Sequence, residues 1–163
     1  MSNFNDVKTF HKKFGLLNGD APRRLTDRKL QERMEFLFEE FREFAMGCGC
    51  ILTVDGNPLD YPDDPSTKVK FYKIDDQDLA EQADALIDLV YVAMGTAVML
   101  GLPWQELWDD VQRANMDKER GVGKRGHPVD CIKPEGWVGP KTQEILLTSG
   151  YDESAEEVDD EIK

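Results

Sequence analysis

The sequence predicts an all-α fold, a helical bundle of about four to five helices with a small insertion of β-hairpin or long ordered loop. Three observations carry this. Apolar residues recur at helical spacing in separate stretches. Glycine and proline fall between those stretches. Strand-like runs are confined to about 47–77.

In order, Phe4, Val7, Phe10 and Phe14 mark one face of a short first helix, ended by Gly15. The turn-rich "GLLNGDAPRR" follows. Thr26 caps a long second helix running to about Ala45, broken by "GCG", with Leu30, Met34, Leu37, Phe41 and Phe44 as its buried stripe. "CILTV" and "KVKFYKI" are β-branched or aromatic runs around the turn-rich "DGNPLDYPDDPST". A third helix, apolar almost all round, closes at Gly101. Pro103 opens a fourth, "PWQELWDDVQRANMDK", whose Trp104, Leu107, Trp108 and Val111 make a buried stripe. Residues 119–141 read as a glycine- and proline-rich loop, and "TQEILLT" as a final turn or two of helix.

The 163 residues suffice for one domain, 1–150, with an insertion at about 47–77 and a tail, 151–163. From Asp152 on, the tail holds seven acids against one lysine and reads as a disordered, solvating end. A net charge of −13 argues against nucleic acid and anionic membranes as partners. Cys48, Cys50 and Cys131 lack the spacing and nearby histidine of a zinc site and suit a reducing cytoplasm. The first residues lack the apolar core of a signal peptide, and the run 85–100 is too short to span a bilayer and contains Asp88. A cytoplasmic protein is expected.

Two acidic patterns stand out. On the second helix "EEFRE" supplies Glu39, Glu40 and Glu43 within an arc of about 100°, with Phe36 on the same side. Alone, such a pattern is ordinarily a solvated face. On the third helix Glu81, Asp84 and Asp88 fall within about 60° of arc, beside Ala83, Leu86, Ile87, Val90 and Tyr91. Glu81 and Asp84 also suit the helix N-terminus, whereas Asp88 lies deeper in the apolar run. Packing the two helices together would gather carboxylates that cannot all stay ionised without protons or cations. Hard divalent ions fit an oxygen-only donor set, Mg²⁺ above all where phosphates complete the octahedron. A di-iron bundle wants Glu-x-x-His pairs, and His11 and His127 each follow a lysine at that spacing.

Continuing the fourth helix's stripe brings Asn115 and Lys118, a polar pair on a core-facing line. The following loop adds Arg120, Lys124, Arg125 and Lys133 among glycines before Trp137. Lysine, arginine and exposed backbone N–H groups suit phosphate oxygens, though the spacing is not that of a Walker loop. Phe10, Phe14, Trp104 and Trp137 are each able to stack a base, and most read as core.

Taken in order, "EEFRE", "EQADALIDLVYVAMGTAVMLGLPW", "VQRANMDK" and "KPEGWVGP" resemble the MazG-like all-α nucleoside triphosphate pyrophosphohydrolases. The likeness runs from about Phe4 to Leu147 and is nearest the small single-domain members of phages and bacteria, related to the phosphoribosyl-ATP pyrophosphohydrolase group. It implies Mg²⁺, with Mn²⁺ as substitute, held by Glu40 and Glu43 on one helix and Glu81 and Asp84 on the next. Glu39 is implied as a further ligand or water-activating base beside Glu40, and Asp88 as an outer-shell group or additional acid. Asn115, Lys118, Lys124, Arg125 and Lys133 match positions near the triphosphate.

The implied reaction splits a nucleoside triphosphate between its α- and β-phosphates, giving monophosphate and pyrophosphate. A deoxynucleotide is favoured, dGTP or dUTP first. The implied assembly is a homodimer or a dimer-of-dimers tetramer. Alternatives are a non-catalytic helical interaction protein and a pyrophosphohydrolase acting on phosphoribosyl-ATP. One departure is the long segment 44–80, where relatives carry a shorter linker.

Overall fold

The computed structural model describes residues 2–16, 21–54, 69–121 and 130–155. Among them are five helices, α1 (Asn3–Lys13), α2 (Asp27–Gly47), α3 (Leu79–Met99), α4 (Trp104–Met116) and α5 (Thr142–Thr148). Between them lie two antiparallel ribbons, β1 (Cys50–Val54) with β2 (Val69–Lys73) and β3 (Glu119–Gly121) with β4 (Asp130–Ile132). The chain divides into two compact units, Thr26–Thr96 and the pair of segments Met1–Leu25 and Ala97–Lys163.

In the Thr26–Thr96 unit, the Thr26 hydroxyl accepts from the Lys29 N–H and starts α2 where the sequence places it. The helix runs two residues beyond Ala45. Gly49 then turns the chain with φ +70°, a conformation that suits glycine, and its carbonyl accepts the N–H groups of Ile74 and Asp75. That turn delivers the chain into β1, which pairs antiparallel with β2 from Cys50 with Lys73 to Val54 with Val69; the turn-rich "DGNPLDYPDDPST" falls outside the described residues. Asp78 starts α3, its carboxylate accepting from the N–H groups of Ala80 and Glu81 at 2.8 and 3.2 Å.

α2 and α3 run antiparallel. At one end Gly47 sits against Gln82, whose side-chain amide donates to the Gly47 carbonyl. At the other, the Arg33 guanidinium donates to Thr96 Oγ1 and to the Val92 carbonyl. The apolar stripe of α2 is not uniformly buried. Leu37, Phe41 and Phe44 are half-buried, whereas Leu30 is exposed and Met34 is 61% exposed. α3 has 21 residues with mean hydropathy 1.3 over an 18-residue window. It begins six residues before the run 85–100 and ends at Met99, and it is long and apolar enough, by length and composition, to cross a membrane.

In the other unit, α1 starts on the Ser2 side chain and ends at Phe14, with Gly15 at φ +69°. Val7, Leu25, Ala97, Val98, Met99 and Ala114 are its buried apolar residues, joined by His11. Gly101, with φ +66°, turns α3 towards α4, and Leu100 accepts from the Arg23 N–H. Trp104 stacks on Phe4 with centroids 5.1 Å apart, but Trp108 and Val111 are exposed, so only half of the expected α4 stripe is covered. Phe10 and Phe14 pair with each other on the surface. The Asp110 carboxylate accepts from the Lys141 N–H and from Arg113, tying α4 to the start of α5. Those hydrogen bonds hold its carboxyl below the usual aspartate range.

Within 119–141 the described residues carry the β3–β4 ribbon, which the composition did not announce; residues 122–129 fall outside the described residues. Arg24 donates to the carbonyls of Glu153 and Ala155, so the first tail residues lie on the unit. The acidic remainder, 156–163, falls outside the described residues.

Candidate active site

The carboxylates meet because two caps and one glycine fix the helices that carry them. Thr26 sets the start of α2, Asp78 the start of α3, and Gly47 lets them close together. A Cβ on Gly47 would stand 2.8 Å from the Gln82 backbone nitrogen and 3.1 Å from Glu81 Cβ. Glu43, one turn before Gly47, and Glu81, one residue before Gln82, therefore face a common space. Glu43, Met46, Glu81, Asp84 and Ala85 line a cavity of about 310 Å³ there.

Further along the pair, Glu40 responds to both helices. Partial burial raises its pKa above the usual glutamate value, reinforced by the negative charges of Asp88, Glu43, Glu39 and Asp84, in that order. Asp88 is thus the acid that Glu40 feels most. It belongs to the cluster, although the sequence left its role the least defined. The signal was present in its position, seven residues after Glu81 and on the same face.

The six acids do not form a closed cage. Among the described residues, no group of three or more His, Cys, Asp or Glu side chains is drawn together tightly enough to hold a metal ion as placed. In chemistry, the donor set still fits a hard dication: carboxylate oxygens only, paired at i and i+3 on each of two facing helices. Phe36, on the same side of α2 as its acids, is exposed, with the Arg33 guanidinium 5.3 Å from its ring centre.

The basic residues lie in the other unit. Lys118 Nζ donates to Asn115 Oδ1 at 2.8 Å. Lys133 Nζ stands 4.4 Å from the centre of the Trp137 ring, and Lys118 Nζ 6.0 Å from it. The Trp137 indole N–H donates to the Ala114 carbonyl at 2.7 Å. Asn115, Lys118 and Lys133 are therefore gathered around one half-buried ring. Lys124 and Arg125 lie outside the described residues. Of the aromatics considered for base stacking, Trp104 already stacks on Phe4, and Trp137 carries the lysines.

Taken each by itself, the acids of the Thr26–Thr96 unit suit cations and a water molecule's proton, and the lysines around Trp137 suit phosphate oxygens. Compared with known proteins, the chain matches the phosphoribosyl-ATP pyrophosphohydrolase family over residues 7–115, a span holding all six acids and Asn115. No curated protein matches it.

Proposed function

From the premise that this chain belongs to the phosphoribosyl-ATP pyrophosphohydrolase family, and so hydrolyses a phosphoric anhydride of a nucleotide, we propose Mg²⁺-dependent cleavage of a (deoxy)nucleoside triphosphate between its α- and β-phosphates. Products are the monophosphate and pyrophosphate, with dGTP and dUTP as leading substrates. The observation that carries the reading is the cavity lined by Glu43 of α2 and by Glu81 and Asp84 of α3.

Glu40, Glu43, Glu81 and Asp84 would hold the metal, with Glu39 as a further ligand. Once bound, the ion supplies charge neutralisation of the phosphates and acidification of a water. The remaining work belongs to the side chains. Glu39 or Glu40 accepts or orients the water's proton, a task that the raised proton affinity of Glu40 favours at that residue. Asp88 keeps that affinity up by its charge. Asn115, Lys118 and Lys133, with Lys124 and Arg125, bind the polyphosphate and stabilise charge on the leaving pyrophosphate. We assign the same chain a homodimer or dimer-of-dimers tetramer, supported by large apolar residues exposed on α2 and α3.

A second substrate, phosphoribosyl-ATP, is favoured by the description of the matched family; the likeness of "EEFRE" and "VQRANMDK" to single-domain MazG-like enzymes favours the free triphosphate. Turnover of a panel of NTPs, dNTPs and phosphoribosyl-ATP, with Mg²⁺, with Mn²⁺ and with chelator, separates them. Cleavage of a dNTP at least tenfold faster than of phosphoribosyl-ATP supports the first reading. The reverse ranking replaces it with the second, and full activity in chelator removes the metal.

A further inference from the structure

We propose that Trp137 is a positioning residue, its ring holding Lys118 and Lys133 as a paired ammonium clamp for the polyphosphate chain of the nucleotide. The inference rests on the preceding reading for the identity of the ligand, and on geometry for the role of the ring. The ring itself is anchored twice. Its indole N–H is bonded to the Ala114 carbonyl in the last turn of α4, and its backbone N–H donates to the Pro134 carbonyl at 3.1 Å. Gly136 lies inside that turn with φ +76°, which lets the chain double back beneath α4.

An anchored indole presents a π face, and both lysines stand within about 6 Å of its centre, the range in which an ammonium is attracted to it. Lys118 is further fixed by Asn115. Neither ammonium has a carboxylate partner among the described residues, although the protein carries a net charge of −13. One ring thus gathers two ammonium groups. A polyphosphate suits such a pair, because its successive phosphates offer several anionic oxygens to charged donors. The ring does not touch the reacting atoms. It sets where the ammoniums wait, and so acts on binding more than on the chemical step.

The test uses the full chain. Trp137→Leu is compared with Trp137→Phe, Lys118→Ala and Lys133→Ala, reading KM and kcat for the nucleotide, calorimetric affinity for inorganic pyrophosphate, and melting temperature. Trp137→Leu is expected to raise KM and weaken pyrophosphate binding by about three- to thirtyfold, the range of a cation–π contact, with kcat within about twofold. Trp137→Phe, which keeps a π face, is expected to recover most of the loss. Lys133→Ala should cost less in the Trp137→Leu background than in the native one, because the two act as a unit.

Incorporation of 5-fluorotryptophan, which weakens the π face at nearly constant shape, keeps the question answerable if Trp137→Leu does not fold. Weaker pyrophosphate binding that disappears in fluorinated Trp137→Phe supports the clamp. Unchanged affinity in folded Trp137→Leu or in the fluorinated protein, with Lys133→Ala still impaired, overturns the role of Trp137 and leaves the polyphosphate reading standing. Unchanged affinity in both lysine variants overturns the clamp and that reading of the basic residues together.

Discussion

Glu40 shows how far one side chain reports on its surroundings. Its proton affinity is raised by partial burial and by acids on both α2 and α3. Between the ordinary glutamate pKa and this raised value, the folded protein binds more protons than the unfolded chain. Metal-free protein therefore loses stability as pH rises through that window. Glu40→Gln should flatten the melting-temperature profile in chelating buffer and leave the protein more stable above the window. A profile identical to the native one would show that Glu40 carries no shift. Asp88→Asn removes the largest single charge acting on Glu40 and should lower its pKa, moving the acid limb of the activity profile to lower pH. Asp88 was legible as an anomaly in an apolar run, but its partner was not. Naming that partner required the antiparallel register of α2 against α3.

At the level of elements, the helix boundaries were written in local chemistry. Thr26, Gly15 and Gly101 mark ends that the structure places within a few residues of the expected positions, because capping is decided by immediate neighbours. Thr26→Ala should cost about 1 kcal/mol in denaturant unfolding. The β3–β4 ribbon was not legible. Three-residue strands carry no periodicity, and their pairing of Glu119 with Ile132 spans a glycine-rich stretch. Nor was the role of Gly47, which looked like part of a helix-breaking "GCG". It is the last residue of α2 and the point where α2 meets α3. Gly47→Ala adds a methyl where backbone stands, and should cost about 1–3 kcal/mol by overpacking. Activity should fall with it, since Glu43 and Glu81 flank the same contact; an active, fully stable variant would detach that contact from the site.

For the whole molecule, the amphipathic pattern correctly located apolar faces and misjudged their cover. Met34 is 61% exposed, Ile87 67% and Trp108 55%, although each sits on a stripe or face that periodicity assigns to the interior. Periodicity identifies a face that avoids water; it does not say whether the same chain or another copy covers it. The assembly proposed above predicts a solution mass of two or four chains by light scattering, and Ile87→Asp should shift it towards one chain if α3 lies in the contact. A native mass of one chain would contradict the assembly without touching the chemistry.

The chemistry itself is tested most directly by the phosphorus products. With a deoxynucleoside triphosphate and Mg²⁺, ³¹P NMR should show nucleoside monophosphate and pyrophosphate appearing together in equal amounts, with no nucleoside diphosphate or orthophosphate. Glu40→Gln should lower the rate by at least a hundredfold while retaining its fold. Release of nucleoside diphosphate and orthophosphate, or full activity in Glu40→Gln, would contradict the proposed reaction at the facing acids of α2 and α3.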